Sequence, residues 1–242
     1  MKCPKCGFES RGVQDECRRC GLIFSKYRRR VLPSDSASVT TGSGGWYSLF
    51  FHIDTSINPL YFYGRVLVFA GIVVWGISII TTPMVRFYER GWFIHNVNLA
   101  FHEAGHTIFR VFGQFIGVLG GSLGQVLIPL ICLFALLIKT RDPFGASICL
   151  CWVGENLMDV AVYVNDARAL VLPLIGGIFG YEDPDFHDWH VILKDMHMLH
   201  YDHRIAVTLY AGGIMLMVIS FIWGGLMLYL QYKSVKRGAD DF

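Results

Sequence analysis

The amino-acid sequence predicts an all-α polytopic membrane protein of about five to six transmembrane helices behind a small cysteine-rich N-terminal module. Three observations predict it. Hydrophobic residues make up 53% of the 242 positions and charged residues only 17%, against about 25% charged in soluble domains. The apolar residues are gathered into blocks, as a bilayer demands. Four of the seven cysteines form two tight pairs before residue 21. The net charge of +2 does not point to nucleic acid. The basic residues gather near the first apolar block and at the C-terminal end, which reads as a topology signal.

Residues 1–24 form the first unit, with Cys3-Pro4-Lys5-Cys6-Gly7 and Cys17-Arg18-Arg19-Cys20-Gly21. Each pair is a tight turn whose glycine frees backbone amides to face thiolate sulfur. Four thiolates, Cys3, Cys6, Cys17 and Cys20, would close a tetrahedral zinc shell; two disulfides are the alternative. A segment this short cannot bury a core, so the metal would supply its folding energy. The module resembles the zinc ribbons found at the ends of many bacterial proteins, and the resemblance implies recognition of a protein partner or regulation. Metal-spaced cysteines imply a reducing compartment, which places the N-terminus in the cytoplasm. The first thirty residues hold no apolar stretch, so no cleavable signal peptide is expected. Cys132, Cys149 and Cys151 lie in apolar blocks as packing residues.

Residues 25–45 read as a flexible linker. It begins with the basic run Lys26, Arg28, Arg29 and Arg30, suited to an anionic membrane face or to plain solvation, and ends Gly42-Ser43-Gly44-Gly45. The membrane-embedded part, residues 46–242, opens on an aromatic belt from Trp46 to Tyr63. Spans are expected at roughly 66–82, 93–118, 125–138, 144–164 and 205–230. Gly117, Gly120, Gly121 and Gly124 mark a break or a re-entrant turn, and the run from Gly120 to Gly124 suits either the approach of substrate backbone along a β-like edge or close helix packing. The apolar stretch 168–180 is too short to cross alone. A polar loop at 181–204 holds His187, His190, His197, His200 and His203. It reads as a wet interfacial loop, a second metal site or a pH sensor, and His187 with Asp188 is the pair expected to approach the core. Positive-inside logic puts both termini in the cytoplasm, which five crossings alone would not allow.

The chemistry lies in His102-Glu103-Ala104-Gly105-His106. Four residues apart on a helix, the two imidazoles project from one face a turn apart and can share a metal. Glu103, about 100° around, can act as general base and acid toward a metal-activated water. Three ionisable groups inside an apolar segment are costly unless they bind something. A third protein ligand is needed, and the fourth expected span offers Glu155, Asp159 and Asp166. At about 100° per residue these fall within an arc of about 40°, a carboxylate stripe that lipid will not face. Asn156 and Asn165 flank it.

A histidine–glutamate helix inside the membrane, glycines after it and an aspartate on a later span resemble the site-2 protease family of intramembrane zinc metalloproteases. The resemblance covers roughly residues 64–230 and rests on His102, Glu103 and His106. In that family the aspartate sits in a Leu-Asp-Gly context beside an Asn/Pro motif; here Asp166 stands in Val164-Asn165-Asp166-Ala167-Arg168. The resemblance implies Asp166 as third ligand, with Asp159 second. Glu155 follows, because Glu155-x-x-x-Asp159 is similar to the spacing in other membrane zinc proteases whose glutamate is the ligand. Asn165, His187 and Asp188 are accessory candidates.

The expected activity is therefore hydrolysis of peptide bonds in membrane-embedded protein substrates by one catalytic zinc, with one structural zinc in the ribbon. The expected setting is a lipid bilayer, specifically a bacterial inner membrane. A non-catalytic metal-binding membrane protein, such as a zinc sensor or transporter component, is the alternative.

Overall fold

The computed structural model describes residues 3, 8, 16–24, 45–53 and 58–240, and the chain divides into two units, Met1–Ser43 and Gly44–Phe242. In the first unit the sulfurs of Cys3, Cys17 and Cys20 lie within 4.8 Å of one another. Cys3 Sγ and Cys20 Sγ are 3.7 Å apart, far beyond the roughly 2.05 Å of a disulfide. Gly21, at φ +67°, makes the left-handed turn that follows the second pair, and its amide donates to the Cys17 carbonyl at 2.9 Å. Cys6 and the basic run at 26–30 lie outside the described residues.

The second unit is helical, with no strand among the described residues. After a single turn, α1 (Trp46–Phe50), helix α2 (Pro59–Ile80) starts on a proline, and Asn58 Oδ1 accepts from the Leu60 amide at 2.8 Å. Helices α3 (Phe93–Phe109), α4 (Gln114–Ala135), α5 (Pro143–Asp166), α6 (Asp188–Asp195) and α7 (Asp202–Asp240) follow. A π-helical turn, Leu136–Thr140, extends α4. Asp142 caps α5 through the Gly145 amide and also holds Arg65 of α2 at 3.0 Å. The longest interface joins α5 to α7, where Gly154 and Gly213 bring the backbones together; a Cβ on Gly154 would stand 2.7 Å from the Gly213 carbonyl. Helix α4 packs between α3 and α5.

Among the described residues four helices are long and apolar enough to cross a membrane: Pro59–Ile80, Gln114–Thr140, Pro143–Asp166 and Leu199–Lys236. This is an integral membrane architecture with fewer spans than the five to six expected. The expected span 93–118 is not one helix. Helix α3 has 17 residues and stops at a 3₁₀ turn, Arg110–Phe112, closed by Gly113 at φ +104°. The stretch 168–180 forms no helix of its own beyond a 3₁₀ turn at Ile175–Gly177, and it folds back through the bridge between Pro173 and Phe179.

The glycine run is helical, not a break or a re-entrant turn. It forms the first half of α4, which begins at Gln114 rather than 125. Glycine costs about 1 kcal/mol against alanine inside a helix; here the close approach of α3 offsets that cost. A Cβ on Gly105 would lie 2.1 Å from the Gly120 carbonyl, and one on Gly124 would lie 2.5 Å from the Phe101 carbonyl. The small residues therefore serve helix packing.

Candidate metal centre

Helix α3 presents His102 and His106 as its spacing requires, with ring centroids 4.7 Å apart. Both Nε2 atoms face one carboxylate oxygen: Asp188 Oδ2 lies 2.8 Å from His102 Nε2 and 3.1 Å from His106 Nε2. The ligand atoms of these three residues lie within 4.8 Å of one another. Two imidazole nitrogens and one carboxylate oxygen are the donor set of a three-ligand zinc site with one open position.

The other nitrogen of each ring is committed elsewhere. His106 Nδ1 faces the Gly117 carbonyl at 2.9 Å, so it must donate. His102 Nδ1 meets Gln125 Oε1 at 2.8 Å, and a chain of buried amides fixes that oxygen as the acceptor. The chain starts at Trp152, whose indole N–H can only donate; it donates to Asn98 Oδ1 at 2.9 Å. Asn98 Nδ2 then donates to Glu155 Oε2 at 2.9 Å, and Asn156 Nδ2 donates to Asn98 Oδ1 at 3.2 Å. That leaves Asn156 Oδ1 to accept from Gln125 Nε2 at 3.2 Å, with Asp159 Oδ2 accepting from the same nitrogen at 3.3 Å. Both rings thus donate from Nδ1, so Nε2 is the atom each has left for a metal ion or, when protonated, for the Asp188 carboxylate.

Glycine makes room for the site. A Cβ on Gly121 would stand 2.5 Å from His102 Nε2 and 2.6 Å from His106 Nε2. The imidazoles occupy the space a side chain would fill.

Asp188 opens α6, a short helix docked over α4 and α5. Three contacts set its place. Trp189 Nε1 donates to Ser122 Oγ on α4 at 3.1 Å. His190 Nδ1 donates to the Ala167 carbonyl at 2.8 Å. His187, 1% exposed, caps α6 by accepting the His190 amide at Nδ1. Burial pushes the Asp188 carboxyl up, but the hydrogen bonds from His102 and His106 and their charge outweigh it and hold the group below its ordinary value.

The carboxylates of α5 do not reach the two imidazoles. Asp166, expected as third ligand, accepts the Val171 and Leu172 amides at 3.0 Å each and ends the helix. It lies 3.5 Å from His187 Nε2, too long for a full hydrogen bond. Asp159 accepts from His95 Nδ1 at 2.8 Å. Glu155 is fully buried against Asn98, and its Oε1 has no partner among the described residues. The carboxylate stripe is buried, but its partners are amides and a histidine rather than the metal ligands. The residue that meets both imidazoles is Asp188, 22 positions beyond Asp166. Asn165 is apart from the centre, paired with His203 at 2.7 Å. Among the described residues no loop histidine joins a second metal cluster.

Glu103 lines the cavity that contains the centre, and its carboxylate has no hydrogen bond among the described residues. The cavity is about 950 Å³; its walls include His95, Leu99, Arg110 and Gln114 beside the metal residues, with Pro173 to Ile175 and Asp185 to Trp189. No protein-family model, curated protein or solved structure matches this chain. The reading of the centre therefore rests on its own geometry.

Gln125, Asn98 and Trp152 are the residues that spacing arguments missed. Their signal is present: Asn98 lies four before His102 on α3, and Gln125 is a lone amide in an apolar block. Replacing Gln125 by Leu is expected to weaken zinc binding at this centre by about 10- to 100-fold, the usual effect of losing an outer partner. Chelator competition on the full chain measures it.

Proposed function

We propose that this chain is an intramembrane zinc metallopeptidase, with the catalytic zinc held by His102, His106 and Asp188. The observation that carries the reading is the convergence of these three ligand atoms on one cavity wall with Glu103. The donor set suits zinc, Gly121 leaves the cradle open, and both Nδ1 atoms are already satisfied. When bound, zinc supplies Lewis acidity toward a carbonyl oxygen and lowers the pKa of water.

The protein groups supply the rest. Glu103 takes the proton from the attacking water and returns it to the departing amine. Gly117 and Gln125 keep the two imidazoles in the right tautomer. The cavity wall formed by Pro173 to Ile175 and by α6 shields the reacting bond from bulk solvent. A helical peptide bond is shielded by its own hydrogen bonds, so a transmembrane substrate would unwind before it lies along α3.

Cys3, Cys17 and Cys20, with Cys6, would hold a second, structural zinc in a ribbon that recruits a protein partner. The four apolar helices among the described residues are an even number, which fits both chain ends in the cytoplasm as the positive-inside rule expects. A bacterial inner membrane fits this arrangement. The test is a Glu103→Gln chain reconstituted in liposomes with a labelled transmembrane substrate. Retained zinc with lost cleavage supports the reading; unchanged cleavage would sink it.

A further inference from the structure

Contacts between the helices fix which of their ends lie together. Arg65, near the start of α2, holds Asp142 in the turn between α4 and α5 at 3.0 Å. At the other end Tyr210 of α7 donates to the Thr82 carbonyl just beyond α2. Helices α5 and α7 run antiparallel: Gly154 packs on Gly213, and a Cβ on Gly224 would stand 2.7 Å from Ser147 Oγ. One end of the bundle therefore gathers Pro59, the turn at Arg141 and Asp142, and the last turns of α7. The other gathers Ile80, Gln114, Asp166 and Leu199.

The metal centre belongs to the second end. Helix α3 stands between Ile80 and Gln114 in the chain, and both of these lie there. His106 Nδ1 donates to the Gly117 carbonyl, and Gly121 leaves the space that both Nε2 atoms occupy. These glycines come about 5 and 10 Å along the axis from Gln114, whereas the whole span to Thr140 is about 40 Å long. Asp188 comes from the connection between α5 and α7, at the same end. Arg110, Gln114 and Asp185, which line the cavity there, are exposed.

Charge says which face this is. The basic run at 26–30 precedes α2, Lys139 and Arg141 stand at the turn between α4 and α5, and Lys233, Lys236 and Arg237 close α7. They outnumber Arg86, Arg90, Arg110, Arg168, Lys194 and Arg204 in the segments of the second end. The first end is the cytoplasmic one by the positive-inside rule.

We infer that the metal centre is reached from the extracytoplasmic face, and that its substrates are membrane segments whose scissile bond lies in the half of the bilayer on that side. The cleavage part rests on the peptidase reading; the side of the centre does not.

The test labels the full-length chain in spheroplasts of a bacterial host with a sulfonated maleimide that does not cross membranes. Asp185→Cys and Asp195→Cys report the face of the centre, and Lys236→Cys reports the other; all three positions are exposed. Above the background of the unmodified chain, the first two should label in intact spheroplasts as fully as after permeabilisation. Lys236→Cys should label only after permeabilisation. The reverse pattern, or equal labelling of all three before permeabilisation, would overturn the inference. Co-expressed with a single-span segment of known orientation tagged at both ends, the chain should cut that segment in its extracytoplasmic half, as read from fragment masses. A cut in the cytoplasmic half would also overturn the inference. Asp185→Cys combined with Glu103→Gln should label as Asp185→Cys does. The expected labelling with no cut supports the side of the centre and counts against the peptidase reading alone.

Discussion

A Glu103→Gln chain is expected to keep its zinc at the α3 centre and to lose hydrolysis by about 10²- to 10⁴-fold, the contribution of a positioned general acid and base. The substitution is nearly isosteric, and the Glu103 carboxylate has no hydrogen bond among the described residues, so the fold has little to lose. It touches none of the three proposed ligands, whose donor atoms would be His102 Nε2, His106 Nε2 and Asp188 Oδ2. Binding and chemistry therefore separate in one variant. Cleavage of a labelled transmembrane substrate in liposomes reads the chemistry, and zinc content of the same sample reads the site. If the chain instead serves as a zinc sensor or transporter component, Glu103→Gln would leave its metal-dependent behaviour as it was.

The second large effect separates Asp188 from Asp166. Asp188→Ala removes a proposed ligand, and the loss of zinc affinity should exceed the roughly 10- to 100-fold that an outer partner costs. Asp166→Asn should fall within or below that range. Asp166 acts at a distance: it gathers the Val171 and Leu172 amides and stands beside His187, whose ring caps the helix that presents Asp188. With cobalt in place of zinc, Asp166→Asn should keep the coordination spectrum of the unmodified chain, and Asp188→Ala should change it. A cobalt spectrum altered by Asp166→Asn and left alone by Asp188→Ala would restore Asp166 as the ligand.

The two histidines and the glutamate were legible because their spacing needs only helical periodicity, and α3 supplies it. The carboxylate stripe of α5 was legible as a buried polar face, since Glu155, Asp159 and Asp166 are all buried. Its role was not, because spacing on one helix says nothing about which neighbour it meets. Asn98 on α3 and Gln125 on α4 take up Glu155 and Asp159, and the Val171 and Leu172 amides take up Asp166. Asp188 was visible only as part of a histidine-rich loop: the contacts that carry it inward, Trp189 to Ser122 and His190 to Ala167, join residues far apart in the chain. The glycine run misled for a similar reason. Glycine lowers helix propensity locally, and only the close approach of Gly105 to Gly120 and Gly124 shows why the helix continues. Span number followed from that error, since a break placed in the glycines divides α3 from α4 in the wrong position.

The most direct test of a catalytic metal centre separate from the ribbon is zinc counted per chain in the purified full-length protein and in its His102→Ala variant. Two zinc ions falling to one is the expected result. One zinc in both proteins would contradict a metal centre on α3.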